Sequence, residues 1–493
     1  MSASGKTIAK NASVLMASQL TTWVLTLLLT IFLPRYLGAV NSGKLAIATS
    51  LWALAAIFMT FGMDILLTKQ IARDPSKASA LASTSFLLRG VLCIAACGAV
   101  ATYVQVANYP IETITVVAIG AFGAFVWQLI GASQAVLQGL EKMSWMSLAN
   151  IVGKAFNTIV CIILLLLGQG IYVVATVAVL AALINFAIQF YALRREIKLH
   201  WVFDVRAMTE MLRAGLPYAM SGLFLVAYGQ VDVIIISLLV DEKTVGWYGA
   251  ANQLFGTSFF IPTVFITAVF PALSRMYATS SDTLPRLMRK SFDLLLIVSI
   301  PIGLGLFAIA DPLIILLFGS EFAPSGALLA LLGFVMIVTY QNMLIGQFLV
   351  SADRQNKWTI VMAVATLATI PLDLILVPWC RAAFQNGAIG GALSFMITEI
   401  GMLIFGLLIL PPGSLDRTNA FLAVRALIAG IIMACGVWAL REMFILIPIV
   451  IGAVIYLSFA FILRLFSPED IALARQIISV ARGRLGARVM QGR

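Results

Sequence analysis

The chain has 493 residues, 61% of them hydrophobic and only 11% charged, with a mean hydropathy of +1.03. That leaves too little polar surface for a water-soluble fold, so membrane-spanning segments must make up most of the chain. The formal charge of +11 is spread over short loops beside apolar runs, which excludes nucleic acid as its explanation, and one histidine with five scattered cysteines excludes a zinc centre or a histidine proton relay.

Apolar runs of about twenty residues, the length that crosses a bilayer core of roughly 30 Å, recur along the chain. They predict helices, because backbone groups in hydrocarbon must be satisfied within their own segment. Taken in order, the runs are Asn11–Leu33, Leu45–Phe61, Ser85–Val106, Ile114–Leu137, Ser147–Leu167, Ile171–Leu193 and Leu216–Val240. Trp247–Leu273, Phe292–Ala310, Ala327–Val350, Thr359–Val377, Ala388–Leu410, Phe421–Leu440 and Phe444–Phe466 follow, making fourteen expected spans in an all-α polytopic protein. The first run is too long, and lacks a small-residue cleavage site, to be a removable signal peptide.

Charge placement sets the expected orientation, since Lys and Arg of short loops stay on the cytoplasmic side. One set of connections carries Lys6 and Lys10, then Lys69, Arg73 and Lys77, then Lys142, Arg194, Arg195, Lys198, Arg206 and Arg213. The same set continues with Arg275, Arg286, Arg289, Lys290, Arg354, Lys357, Arg417 and a basic tail, whereas the alternate set holds only Arg35, Lys44, Lys243, Arg381 and Arg441. Both termini are therefore expected in the cytoplasm of a multi-pass protein of the inner (plasma) membrane.

The two halves read as copies of one unit. Gly43-Lys-Leu-Ala-Ile-Ala-Thr-Ser-Leu51 follows the first span as Gly246-Trp-Tyr-Gly-Ala-Ala-Asn-Gln-Leu254 follows the seventh, and Gln138-Gly-Leu-Glu-Lys142 closes the fourth much as Ser351-Ala-Asp-Arg-Gln355 closes the tenth. Residues 1–200 and 201–412 are accordingly expected to form two six-helix lobes around a central cavity, with two appended helices and the tail in 413–493. A solute would sit in the cleft between the lobes, and polar stripes mark the faces bordering it. Gln19, Thr22, Thr26 and Thr30 line the first span, Gln128, Gly131, Ala135 and Gln138 the fourth, Asn150, Lys154 and Asn157 the fifth, and Asn185 with Gln189 the sixth. Ser221, Tyr228 and Asp232 line the seventh, and Tyr340 with Gln347 the tenth. Such neutral stripes also serve as interhelical glue. Charges weigh more, because one at a helix centre costs at least about 2.5–3.5 kcal/mol. Lys154, Asp232 and Glu399 lie deepest, with Arg89 and Asp373 nearer helix ends and Arg35 at the mouth of the first span. Structural pairing of Lys154 with Asp232, or snorkelling of Arg89 and Arg35, are the alternatives to a cavity role.

Gly215-Leu-Pro217, Ser221, Asp232, Val245-Gly-Trp-Tyr-Gly-Ala-Ala251 and Pro271-Ala-Leu-Ser-Arg275, with Arg35-Tyr-Leu-Gly38 and the Gln138-Gly-Leu turn, carry a resemblance over essentially the whole chain. It resembles the polysaccharide transport family (Wzx-type oligosaccharide flippases) of the multidrug/oligosaccharidyl-lipid/polysaccharide exporter superfamily. The resemblance implies a non-enzymatic flippase that moves a polyprenyl-diphosphate-linked oligosaccharide from the cytoplasmic to the outer leaflet by alternating access. Its partners would be that lipid-linked glycan, membrane lipids and other polysaccharide-assembly proteins, and it needs no cofactor. Arg35 matches a position where related lipid II flippases carry a cavity arginine, whereas their further basic residues are not evident in the first two spans, which lowers the case for a peptidoglycan precursor. By the same analogy, the last two spans would form a groove for the lipid tail.

In this reading Arg35 and Lys154 meet the phosphates, while Asn150, Asn157, Gln128 and Gln138 meet sugar hydroxyls, and Asp232 or Glu399 serves as a coupling or cavity acid. No GxxxxGK[ST] loop is present, so ATP is not the expected drive; membrane potential, protons and sodium remain open. Two rivals stand beside the flippase: a cation-coupled multidrug antiporter of the same superfamily, holding an organic cation on Asp232, Glu399 and Tyr228, and a membrane polysaccharide ligase or polymerase. Short acid-poor external loops argue against the enzyme.

Overall fold

The computed structural model describes residues 3–201, 203–267 and 283–466. The readings that rest on Pro271–Arg275, on the basic tail after Phe466 and on the side chains of Lys6, Lys10 and Ser221 lie outside the described residues. Every long element described is a helix: α1 (Ala3–Thr60), α2 (Met63–Arg73), α3 (Ala78–Val106), α4 (Ile111–Gly139), α5 (Met143–Leu166), α6 (Ile171–Glu196) and α7 (Val205–Leu239). They continue with α8 (Glu242–Thr257), α9 (Thr283–Phe318), α10 (Ser325–Ser351), α11 (Gln355–Phe384), α12 (Ala388–Ile409), α13 (Arg417–Ala439) and α14 (Leu446–Ile462).

Among the described residues eleven helices are long and apolar enough to cross a membrane. The expected fourteen differ from these at three places. Helix α1 joins the first two runs, α8 stops at Thr257 after 16 residues, and α14 has only 17. At the α8 stop, Tyr340 donates its hydroxyl to the Ser258 carbonyl at 2.7 Å, satisfying a backbone group released by the break. Residues 260–267 are helical again.

Although α1 is nearly continuous, the chain reverses within it at Gly38 (φ 76°, ψ 172°), a left-handed conformation that glycine adopts without penalty. The packing shows the reversal. Ser18 and, via Thr158, Leu25 climb α5 in parallel, at Ser147 (3.3 Å) and Thr158 (3.2 Å). Past the kink, Trp52, Thr60 and Thr68 descend α4 in parallel, at Val117 (2.9 Å), Gln128 (2.9 Å) and Ala135 (3.1 Å). Because α4 and α5 are antiparallel across the Leu140–Lys142 turn, the two arms of α1 are antiparallel as well. A second break, at Phe61 (φ 44°) and Gly62 (φ 70°), separates α2 from the second arm.

The repeat signals acquire a geometry. A Cβ on Gly43 would stand 1.8 Å from the Glu242 carbonyl oxygen, and one on Gly246 would stand 1.9 Å from the Ala39 carbonyl oxygen. Each glycine thus meets the carbonyl four residues before the other, a reciprocal crossing of α1 and α8 that relates the halves. The ends of α4 and α10 are equally alike. Both finish on a left-handed non-glycine residue, Glu141 (φ 59°) and Asp353 (φ 55°), with Lys142 N donating to Leu137 O and Arg354 N to Leu349 O, each at 2.8 Å. The sequence alignment of these turns is one residue out of register with this equivalence.

Helices α13 and α14 pack on α9, where Tyr456 donates to Ile297 O at 2.8 Å and Gly430 faces Ile300 and Leu304. Asp416 caps α13 in a capping box with Asn419, and hydrogen bonds from Thr418 hold its carboxyl below the usual carboxylate range. Arg289 of α9 bridges to the same carboxylate at 2.6 Å.

Candidate functional site

Polar side chains of the first half meet around α4, α5 and α6. Gln134 and Asn185 both donate to Asn150 Oδ1, each at 3.1 Å, and Gln189 donates to Asn185 at 2.6 Å, while the buried Gln189 Oε1 has no described partner. Gly153 permits the approach of α5 to α6, since a Cβ there would stand 3.0 Å from Asn185 Cβ. One turn along, Lys154 is partly buried, and among the described residues no carboxylate or hydrogen-bond acceptor pairs with it. The pair with Asp232 does not form. Asn157 accepts a weak bond from Cys161 Sγ at 3.5 Å.

Gln128 is buried rather than free, accepting from Thr60 and from Arg89. Arg89 itself is fully buried, so snorkelling is corrected: its guanidinium binds Ser85 Oγ (3.1 Å), Gln128 O (3.0 Å) and the Asp64 carboxylate. Gln138 is exposed and lines a cavity of about 420 Å³ between α2 and α4, at the end of the bundle that carries Lys69. An apolar cavity of about 380 Å³ lies between the second arm of α1, α4 and α6, walled by Trp52, Trp127 and several alanines and glycines.

At the opposite end, near Gly38, the halves are tied together. Arg35 donates to the Leu316 carbonyl at 2.8 Å, capping the C-terminus of α9, while Glu321 accepts from Ala39 N at 3.0 Å, capping the N-terminus of the second arm of α1. Each half caps a helix of the other. Lys44, 5% exposed, pairs with Glu112 and lies 3.7 Å from Glu242, which also accepts from Thr113. Tyr109 and Ser237 share a hydrogen bond of 2.5 Å across the same seam. Arg35 is thus placed at the closed seam and not among the amides of the first half.

The second half holds the acids. Asp232, on α7, accepts from Tyr248 at 3.1 Å, and its other oxygen has no described partner. Asp373, on α11, is fully buried within electrostatic range of Asp232, both its oxygens unpartnered among the described residues. Glu399, on α12, accepts from Asn342 at 2.7 Å and Tyr228 at 3.1 Å. Lys154, Asp232 and Glu399 stand out in the sequence as charges inside apolar runs. The roles of Asp64, Gln134, Lys44 and Glu321 do not, and Asp373 stands deeper than its position near a helix end implies.

The helical fold that carries these groups is shared with solved transporters. A structure of the lipid II flippase MurJ in an inward closed conformation superposes with a TM-score of 0.73 at 15% identity, over 92% of this chain and 98% of that one. An inward-facing multidrug resistance MATE family transporter of the MOP superfamily gives 0.62 at 17% identity, over 79% and 94%. Among curated proteins, the "Probable low-salt glycan biosynthesis flippase Agl15" of Haloferax volcanii is 22% identical over 200 residues, 40% of this chain. That match spans 41% of the relative's own length. The fold is that of these solved transporters, built from helices of which eleven among the described residues are long and apolar enough to cross a membrane. The chain belongs to the polysaccharide biosynthesis protein family, whose model matches residues 8–277; the MatE model matches residues 217–375.

Proposed function

We propose that the protein is a flippase turning a polyprenyl-diphosphate-linked oligosaccharide, a surface polysaccharide precursor, from the cytoplasmic to the outer leaflet. Residues 1–200 and 201–412 are the moving lobes, and the basic Lys69 end faces the cytoplasm with both termini. The observation that carries the reading is Lys154, a partly buried cation with no described counter-charge beside a linked set of amides. An unpaired cation there is costly unless an anion visits it. Removing a diphosphate from water costs several kcal/mol or more, so the head group needs such a wet, cationic path while the prenyl tail stays in lipid. An inside-negative potential adds about 2.3 kcal/mol per charge per 100 mV in the outward direction. Asp232, Asp373 and Glu399, buried in the second half, call for a positive charge beside them and are the coupling acids of this scheme. Other polysaccharide-assembly proteins are the natural source and destination of the lipid.

The test is leaflet-to-leaflet movement of a lipid-linked oligosaccharide in vesicles holding the purified chain. Lys154→Ala, folded by thermal unfolding, should slow it about tenfold, the worth of one charge-assisted contact. Unchanged movement removes Lys154 from the path. The MatE match and the acid cluster favour a second reading, a cation-coupled drug antiporter. Vesicles that expel a cationic dye, lose this with Asp232→Asn and leave the glycolipid in place would establish it instead.

A further inference from the structure

The cavity of about 420 Å³ between α2 and α4 has a polar wall made by Asp64, Thr68 and Lys69 on α2 and Gln134 and Gln138 on α4. Its size falls within the range of small-ligand pockets, about 300–1,000 Å³. Local sequence builds it. Helix α2 starts anew after the break at Phe61 and Gly62 and buries Met63, Leu66, Leu67 and Ile71, which turns Asp64, Thr68 and Lys69 toward α4. Gly131 supplies the room behind the wall, since a Cβ there would stand 2.9 Å from Arg89 Nη1 and 3.4 Å from Asp64 Oδ1.

The donors and acceptors of this wall discriminate between ligands. Arg89 holds one oxygen of Asp64 and cancels its charge, but the other oxygen has no described partner, and the side chain is 43% exposed. Gln134 gives one N–H of its amide to Asn150, and its carbonyl oxygen has no described partner. Two acceptors therefore face the cavity, with donors at its rim: the exposed Gln138 and Lys69, the latter 3.2 Å from the Tyr218 hydroxyl. Phosphate oxygens only accept and gain nothing from a free carboxylate oxygen. Sugar hydroxyls both donate and accept, and match such a wall.

We propose that this cavity is the glycan subsite of the transport path. Hydroxyls of the head group donate to Asp64 and Gln134 and accept from Gln138 and Lys69, while the diphosphate lies toward Lys154. The assignment rests on the flippase reading and divides the head group between two places in the first half, a neutral polyol against α2 and α4 and an anion against α5.

The experiment titrates the full chain in nanodiscs with two lipids, polyprenyl diphosphate and the same lipid bearing a neutral disaccharide. The unaltered chain should bind the glycosylated lipid more tightly. Asp64→Asn, which keeps an acceptor for Arg89, and Gln138→Ala, on an exposed position, should each erase about fivefold to tenfold of that preference and leave the bare lipid unaffected. Lys154→Ala should weaken both lipids. A preference untouched by either variant, or a loss shared equally by both lipids, overturns the subsite. An unaltered chain with no preference overturns the subsite alone, and one that binds neither lipid overturns the flippase reading with it.

Discussion

Arg89 and Lys154 are two cations set in apolar helices of the first half, and their surroundings differ in kind. Arg89 is fully buried with its guanidinium held by a hydroxyl, a carbonyl and a carboxylate, whereas Lys154 has no described acceptor. A buried charge that loses its partner costs about 3–5 kcal/mol, while a carboxylate that water reaches recovers most of its hydration. Asp64→Ala should therefore destabilise the chain by about 3 kcal/mol, and Arg89→Met by less than half as much. Unfolding midpoints in one detergent check this asymmetry; an equal or reversed order would show that Asp64 does not compensate Arg89. The sequence reveals both cations, because a charge inside an apolar run is conspicuous. It does not reveal their state, since the partner of Arg89 lies 25 positions away on another helix, and spacing along one helix carries no information about such a neighbour. Gln134 is hidden for a related reason: among the stripes of α4 only its reach to Asn150 distinguishes it.

Helices α1 and α8 cross at Gly43 and Gly246 so closely that either side chain would enter the opposing backbone. A backbone carbonyl cannot step aside as a flexible side chain can, so the helices themselves must part. Gly43→Ala and Gly246→Ala should each lower stability by about 2–3 kcal/mol, the cost of overpacking a tight contact, and by similar amounts because the contacts are reciprocal. Gly98→Ala, with nothing within 4 Å of the added methyl, is the control and should be neutral or slightly stabilising. Comparable losses at all three positions, measured by thermal unfolding, would refute a contact specific to the crossing. Much of this was readable beforehand. The matched stretches opening at Gly43 and Gly246 single out the two residues that touch, and hydropathy places nearly every helix. What escaped is continuity: a run of apolar residues looks the same whether the chain loops between helices or folds back on a single glycine, as it does at Gly38.

The halves are joined at the Gly38 end by two reciprocal helix caps, an ion network around Lys44 and the glycine crossing, and the polar cavity lies at the other end. In the proposed flippase a single arrangement of this kind would expose the site to one face only, so alternating access would require the seam to open. No composition or periodicity announces such a seam, because it is made of contacts between residues far apart in the chain, from Tyr109 with Ser237 to Arg35 with Leu316 and Glu321 with Ala39. One pair within it can be bridged. A Cβ on Gly249 would stand 3.1 Å from Ala46 Cβ, within a few tenths of an ångström of the roughly 3.5–4.5 Å that disulfides span. With Cys435, which is exposed, replaced by Ser, the pair Ala46→Cys and Gly249→Cys should close on oxidation, hold the halves together and stop glycolipid movement in vesicles. Reduction should restore the movement, and neither single variant should respond to oxidant. Mass spectrometry reports whether the bond has formed. A formed bond with undiminished movement would mean that the lobes do not separate between α1 and α8, and alternating access would then have to use another seam.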